Sequence, residues 1–144
     1  MPFTTAQLTA EIQNDPAGLG YAAFFDAADE DQQIAGLLNQ VRGTISVFLP
    51  NVSPSAVAAA LVKADWDALA AGDKQLFASL LAVQSFDLTS ASLRLLFGAL
   101  FPAGSTTRAN LLAIASRNGS RAEQLWGTGT SVSLTAVAVA LGRG

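Results

Sequence analysis

Histidine and cysteine are both absent from this 144-residue sequence. Without them the chain has no Ser-His-Asp or Cys-His catalytic pair, no Cys/His zinc site, no haem held by histidine and no disulfide bond. Charged residues are also scarce, at 13% against an ordinary share of about 25%. Because 51% of the residues are hydrophobic, we expect a folded chain of one domain, with apolar surface left for partners.

Two uncharged stretches, residues 43–62 and 124–142, have the length of a membrane helix. The first is interrupted by Pro50 and Pro54, and the second by a turn with glycines at 127 and 129. Such breaks would leave backbone groups unpaired in lipid, so we expect no membrane span. The N-terminus has no basic segment followed by an apolar run, so we also expect no signal peptide.

The acidic residues and glycines that could serve catalysis, metal binding or phosphate binding do not have the spacing that those sites need. Asp65 and Asp67 flank Trp66, but side chains two residues apart on a helix point to different sides. The acids at 29–31 lack the glycine and late glutamate of a calcium loop. The glycines of 127–129 lack the rest of a phosphate-loop motif. We therefore predict that the protein is not an enzyme and has no catalytic residue, no cofactor and no bound metal.

Hydrophobic periodicity predicts a mainly α fold, a single domain of about seven short helices with one or two short strands or extended segments. The helices are predicted over residues 5–14, 29–41, 54–62, 73–85, 90–101, 106–118, 120–126 and 134–142, with short helical turns at 21–27 and after Asp65. The extended segments are predicted at 44–49 and 130–133.

Capping residues mark several of the predicted boundaries. Ser53 followed by Pro54 is a typical helix start. Ser120 and Glu123 have the spacing of a capping box, which favours a new helix over continuation through Gly119. Gly119 would then be a C-cap or a point of close helix contact.

Two further expectations concern the middle of the chain. Asp65 is expected to cap the short helix that carries Trp66. The helix over residues 73–85 has apolar residues on most of its sides, which predicts deep burial. Those residues are Leu76, Phe77, Leu80, Leu81 and Val83.

The predicted domain divides into a helical body, residues 1–126, and a C-terminal arm, residues 127–144. The arm begins at a glycine hinge and contains a short extended segment and a short helix, so it is not an independent domain. Its apolar residues are candidates for contact with a neighbouring subunit. They are Val132, Leu134, Val137 and Val139.

Charge is unevenly distributed along the chain. Residues 1–87 contain ten acids and three bases, whereas residues 88–144 contain one acid and five arginines. The pattern is consistent with a merely solvated surface, or with two oppositely charged ends that pair between copies in a ring. In the second case Arg108, Arg117 and Arg121 are candidate interface residues. Trp126 is either a core anchor or an interface anchor.

Two stretches resemble a known family. They are LTAEIQNDPAGLGYA at residues 8–22, and GSRAEQLWGTGTSVS at residues 119–133 followed by VAVAL at 137–141. Together they resemble small proteins encoded among the virion-structure genes of tailed double-stranded DNA bacteriophages. The resemblance implies a virion component at the neck between portal and tail, where helical adaptor proteins form rings, often of twelve, and reach into the portal with a C-terminal arm.

The function expected from these observations is a head–tail connector subunit, made in the bacterial host cytoplasm and retained in the virion neck. Its expected partners are other copies of itself in a ring of twelve, together with the portal and other neck or tail proteins. If the arginines line a lumen, they would also meet DNA phosphates without sequence preference.

Two other interpretations stay open at this stage. The first is an assembly factor that is absent from finished particles, such as a tail-assembly chaperone or a small regulator that binds one helical partner. The second is a carboxylate-based hydrolase that acts on cell wall.

Overall fold

The computed structural model describes residues 2–26 and 30–143, and it is mainly helical with one small antiparallel two-stranded sheet. Within those residues the elements are α1 (Thr5–Asn14), a 3-10 helix (Tyr21–Phe24), α2 (Asp31–Asn39), β1 (Arg42–Phe48), α3 (Pro54–Ala60), α4 (Lys63–Asp67), α5 (Ala71–Leu80), α6 (Ala91–Leu100), α7 (Thr106–Ala115), β2 (Ser116–Gly119), α8 (Arg121–Trp126) and α9 (Leu134–Ala140). Strand β1 pairs with β2. The mainly α prediction is confirmed.

Two of the helix starts predicted from capping residues are confirmed, those of α3 and α8. The Ser53 hydroxyl accepts a hydrogen bond from the Ala56 N–H at 3.1 Å, with Pro54 as the first residue of α3. The capping box of α8 is complete, because the Ser120 hydroxyl and the Glu123 carboxylate each accept the other's backbone N–H at 3.2 Å. Side-chain caps satisfy N–H groups that the helix itself leaves free.

The prediction of a helix over 106–118 is wrong at its end. Helix α7 stops at Ala115, and Ser116 is extended, with φ −138° and ψ 159°. The apolar spacing also stops there, and residues 116–119 (Ser-Arg-Asn-Gly) are mostly poor helix formers that pair as β2. Gly119 is therefore neither a C-cap nor a helix contact. Residues 130–133 form no strand.

The prediction of a long, deeply buried helix over 73–85 is also wrong. Helix α5 ends at Leu80, because the N–H groups of Ala82 and Val83 bond to carbonyls three residues back. Of its apolar residues only Phe77 is buried, while Leu76 and Val83 are exposed.

The chain divides into two compact units. Unit 1 contains Met1–Ser46 and Asn118–Gly144, and unit 2 contains Val47–Arg117. Unit 1 has seven acids and three bases, and unit 2 has four acids and five bases. The change in charge along the sequence, between residues 87 and 88, therefore falls inside unit 2 and does not coincide with a boundary between units.

The core of unit 1 joins both ends of the chain. Its buried residues come from α1, the 3-10 helix, α2, α8 and α9, together with Phe3 and Val132. Helix α9 packs against α1 and α2. The Asn39 side-chain amide bonds to both backbone groups of Val132. It donates to the Val132 carbonyl and accepts from the Val132 N–H, at 2.8 Å each. The predicted arm is thus packed on its own chain.

The core of unit 2 is rich in aromatic rings. Phe77 lies between Trp66, with ring centres 6.0 Å apart, and Phe101, at 5.5 Å. Phe86 and Phe97 meet at 5.5 Å in an edge-to-face arrangement. Such arrangements add to the stability gained from burying the rings.

Candidate functional site

Arg121 is an internal residue of unit 1. Its Nε and Nη2 donate to the two carboxylate oxygens of Glu11 at 3.0 and 2.8 Å, and its Nη1 donates to the Gln124 amide oxygen at 2.8 Å. The Tyr21 hydroxyl donates to Glu11 at 2.9 Å. The guanidinium is bonded within its own unit, which gives Arg121 an internal structural role. Its role at a subunit interface stays a prediction.

This cluster shifts two pKa values. Hydrogen bonding to Glu11 raises the pKa of the Arg121 guanidinium above its usual range. Burial, followed by the neighbouring Glu11 carboxylate, raises the pKa of the Tyr21 hydroxyl well above its usual value. Both groups therefore keep their protons across the physiological range.

Trp126 is half-buried, and it lies at the edge of the unit 1 core. Its ring lies 4.6 Å from that of Phe3, centre to centre, so it anchors part of the unit 1 core. It also lines an open cavity of about 400 Å³. The charged groups in that cavity, Glu11 and Arg121, already bond to each other.

The glycine turn after α8 is tied to that helix. The buried Glu123 carboxylate accepts the Gly129 N–H at 2.7 Å as well as the Ser120 N–H. Gly127 and Gly129 adopt φ values of 108° and 88°, a region that favours glycine. The turn predicted here is confirmed.

The four candidate interface residues of the C-terminal segment divide into two pairs. Val132 and Val137 are buried in the core of unit 1, so in this structure their own chain covers them. Leu134 and Val139 are 50% and 45% exposed. Only the second pair presents an apolar surface to a neighbour.

Arg108 belongs to a different site, in unit 2. It lines an apolar cavity of about 220 Å³ together with Phe48, Val57, Leu88, Arg94, Phe97, Gly98, Leu111, Leu112 and Ala115. Half of the lining residues belong to the buried core, whereas Leu112 is 56% exposed and Leu95, the neighbour of Arg94 in sequence, is 74% exposed. Arg117 is exposed on β2 and does not line this cavity.

Arg94 was not among the predicted site residues, and it is the second cation of the cavity. Its guanidinium carbon lies 3.9 Å from the centre of the Phe48 ring, a cation–π contact. Its Nε atom is buried without a hydrogen-bond partner. Sequence spacing gives no signal for this, because Arg121 also lacks an acid three or four residues away and is nevertheless paired with Glu11.

Neither guanidinium of this cavity is neutralised. In the described part of the chain, no hydrogen bond or ion pair involves the side chain of Arg94 or Arg108. The Arg108 guanidinium passes so close to Gly98 that a Cβ there would lie 3.7 Å from it. The cavity therefore combines an apolar floor with two free cationic groups, which suits an apolar group that carries a negative charge.

Asp65 has a different role from the one predicted. Its carboxylate accepts the Thr107 N–H at 2.9 Å, in the first turn of α7, and the Thr107 hydroxyl accepts the Val62 N–H at 2.9 Å. Hydrogen bonds from Thr107 lower the pKa of Asp65. The carboxylate thus stabilises the start of α7 and does not cap α4.

Two further properties of the described residues concern metal binding and membrane crossing. Residues 2–26 and 30–143 contain no group of acidic side chains placed to hold a metal ion. No helix in that same part of the chain has both the length and the apolar character needed to cross a bilayer. Asp29, one of the acids at 29–31, lies outside the described residues, and the buried Asp31 pairs with Arg143.

Comparisons with models of protein families, with curated proteins and with solved structures find no match to this chain.

Proposed function

We propose that this chain is a structural subunit of a tailed-bacteriophage virion, a head–tail connector that assembles with identical copies into a ring between portal and tail. It would be made in the bacterial host cytoplasm and would contact the portal and other neck or tail proteins. Its mechanism is assembly: surfaces of one copy bury surfaces of the next, and no bond is made or broken.

The observation that carries the proposal is the place of the family-like stretches in the fold. Residues 8–22 and 119–133 lie far apart in sequence, yet both belong to unit 1. The ion pair between Glu11 and Arg121 joins them directly. The resemblance therefore corresponds to one three-dimensional unit, as expected for a shared fold rather than for two chance similarities.

Unit 2 supports the assembly part of the proposal. Free arginines beside an apolar cavity, with exposed leucines at positions 95 and 112, are typical of a protein interface. The same surface also suits a single helical partner, which keeps the assembly-factor interpretation as the second candidate. Contact of Arg108 and Arg117 with DNA phosphates remains a subsidiary proposal.

The C-terminal segment would contribute to the ring through Leu134 and Val139. Replacing both exposed residues by serine tests this without disturbing the buried Val132 and Val137. Loss of assembly with unchanged thermal unfolding would support an arm contact. Unchanged assembly would remove the arm from the interface.

Quantitative mass spectrometry of purified particles from a phage that encodes this chain tests the proposal as a whole. A connector is expected at a fixed copy number per particle, close to that of the portal. Absence from finished particles, with presence in infected cells, would overturn the proposal and favour the assembly factor.

A further inference from the structure

We infer that the cavity of unit 2 with Arg94 and Arg108 receives residues 24–26 of a second copy, Phe24, Phe25 and Asp26. The inference rests on the proposed function, since it names the contact by which neighbouring copies meet. The surface that offers the cavity differs from the surface that fills it. Such a heterologous contact leads to a closed ring when the rotation between copies is suitable.

Charge complementarity identifies the occupant. Four carboxylates of unit 1 are already bonded within that unit: Glu11 to Arg121, Asp15 to the Leu19 and Gly20 N–H groups, Asp31 to Arg143, and Glu123 to the Ser120 and Gly129 N–H groups. Among the described residues of unit 1, Asp26 and Glu30 are the carboxylates without such a bond. Asp26 is the exposed one.

The sequence around Asp26 also supplies the apolar part of the ligand. Phe24 and Phe25 are only partly buried against the unit 1 core. An aromatic ring followed by a free carboxylate matches a cavity with an apolar floor and two guanidinium groups. Arg143 donates to both the Phe25 carbonyl and the Asp31 carboxylate. This holds the backbone of the segment in place before docking, which reduces the entropy lost on binding.

The contact explains two features of unit 2 that its own fold does not. The buried Arg94 Nε lacks a partner in the chain, and a carboxylate from a neighbour would provide one. Exposed Leu112 at the cavity and Leu95 beside Arg94 would become covered by the neighbouring copy.

A charge swap between two exposed residues tests the inference directly. Arg108→Glu and Asp26→Arg each bring like charges together at the proposed contact. Each variant alone should self-associate at least about tenfold more weakly than the native chain, because like-charge contacts at an interface are costly. In an equimolar mixture every contact can join opposite charges, so the mixture should assemble again. Sedimentation velocity at low salt measures all three samples.

Matched controls separate this contact from general charge effects. Lys74→Glu and Asp73→Arg make the same charge changes in unit 2 at residues that do not line the cavity, and they should leave self-association unchanged. Gly98→Leu blocks the cavity without changing charge and suits a helix, so it should weaken assembly while the chain stays folded.

Three results would overturn the inference. In the first, both charge variants assemble like the native chain. In the second, both weaken but the mixture does not recover, so the two charges do not meet. In the third, the native chain stays monomeric. The first two results leave the proposed function undecided, because the copy number in purified particles is measured independently.

Discussion

The two units of this chain are stabilised by different kinds of contact. In unit 1, polar side chains bridge residues more than ninety positions apart: Arg121 holds Glu11, Asn39 holds Val132, and the Thr9 hydroxyl donates to the Ala140 carbonyl. In unit 2, a continuous segment encloses a cluster of aromatic rings. Unit 1 thus requires both ends of the chain, whereas unit 2 is formed by one continuous segment of the sequence.

The comparison also shows why arginine alone is a poor guide to an interface. Arg121 and Arg143 of unit 1 are bound by carboxylates of their own unit. The guanidinium groups of Arg94 and Arg108 in unit 2 have no carboxylate partner among the described residues. An arginine that has no carboxylate partner in its own unit is a better candidate for an interface than one that is already ion-paired. The spacing of residues in the sequence does not show which case applies.

Deletion of residues 127–144 should have the largest effect. It removes Val132, Val137 and Ala140 from the unit 1 core and frees the Asn39 amide. We expect α1 and α2 to lose their protection from hydrogen exchange, because both pack on α9. Amides of α6 and α7 should keep theirs. Continued protection of α1 and α2 would contradict the account of unit 1.

Phe77→Ala should be the most damaging single change in unit 2. The ring is almost fully buried and contacts both Trp66 and Phe101. Removing a buried phenylalanine lowers the free energy of unfolding by about 3–5 kcal/mol. Urea denaturation measures the change. A loss below about 1 kcal/mol would mean that the aromatic cluster is not the main source of stability.

Two arginine replacements, one in each unit, should have smaller and unequal effects on stability. Arg121→Ala leaves the buried Glu11 carboxylate without its cation, and it should cost about 3 kcal/mol. Arg108→Ala removes an exposed side chain without a partner and should change stability by less than about 0.5 kcal/mol. Equal effects of the two replacements on thermal unfolding would contradict the distinction between them.

Tyr21→Phe should have a modest effect at neutral pH, about 1.5 kcal/mol for one hydrogen bond to a carboxylate. The variant should also change how the free energy of unfolding depends on pH. The native state keeps the Tyr21 proton because its pKa is raised, whereas the unfolded chain releases it above about pH 10. Unfolding free energy should therefore fall with pH above about 10 in the native chain, and less steeply in the variant. Parallel curves from urea titrations at pH 8 to 11 would refute this.

Local signals in the sequence were sufficient for much of the secondary structure. Ser53 before Pro54 and the Ser120–Glu123 spacing locate helix starts because capping depends on residues only a few positions apart. The exposure of Leu76 depends on which elements pack nearby. No local pattern contains that information.

The candidate site was only partly predictable for the same reason. Arg108 could be identified by its charge. Identifying Arg94 beside it requires knowing that Phe48 packs against α6, which the sequence does not show. Arg121 is also an arginine with similar neighbours in the sequence, yet in the folded chain it is bonded to Glu11, 110 residues away. Distant pairing of this kind decides whether a charge is internal or available.

Mass photometry of the purified full-length chain, followed by negative-stain imaging, tests the central claim most directly. The account predicts a closed ring of one fixed copy number that dissociates as salt rises, because free arginines and carboxylates form its contacts. A chain that stays monomeric at every concentration and ionic strength would contradict it.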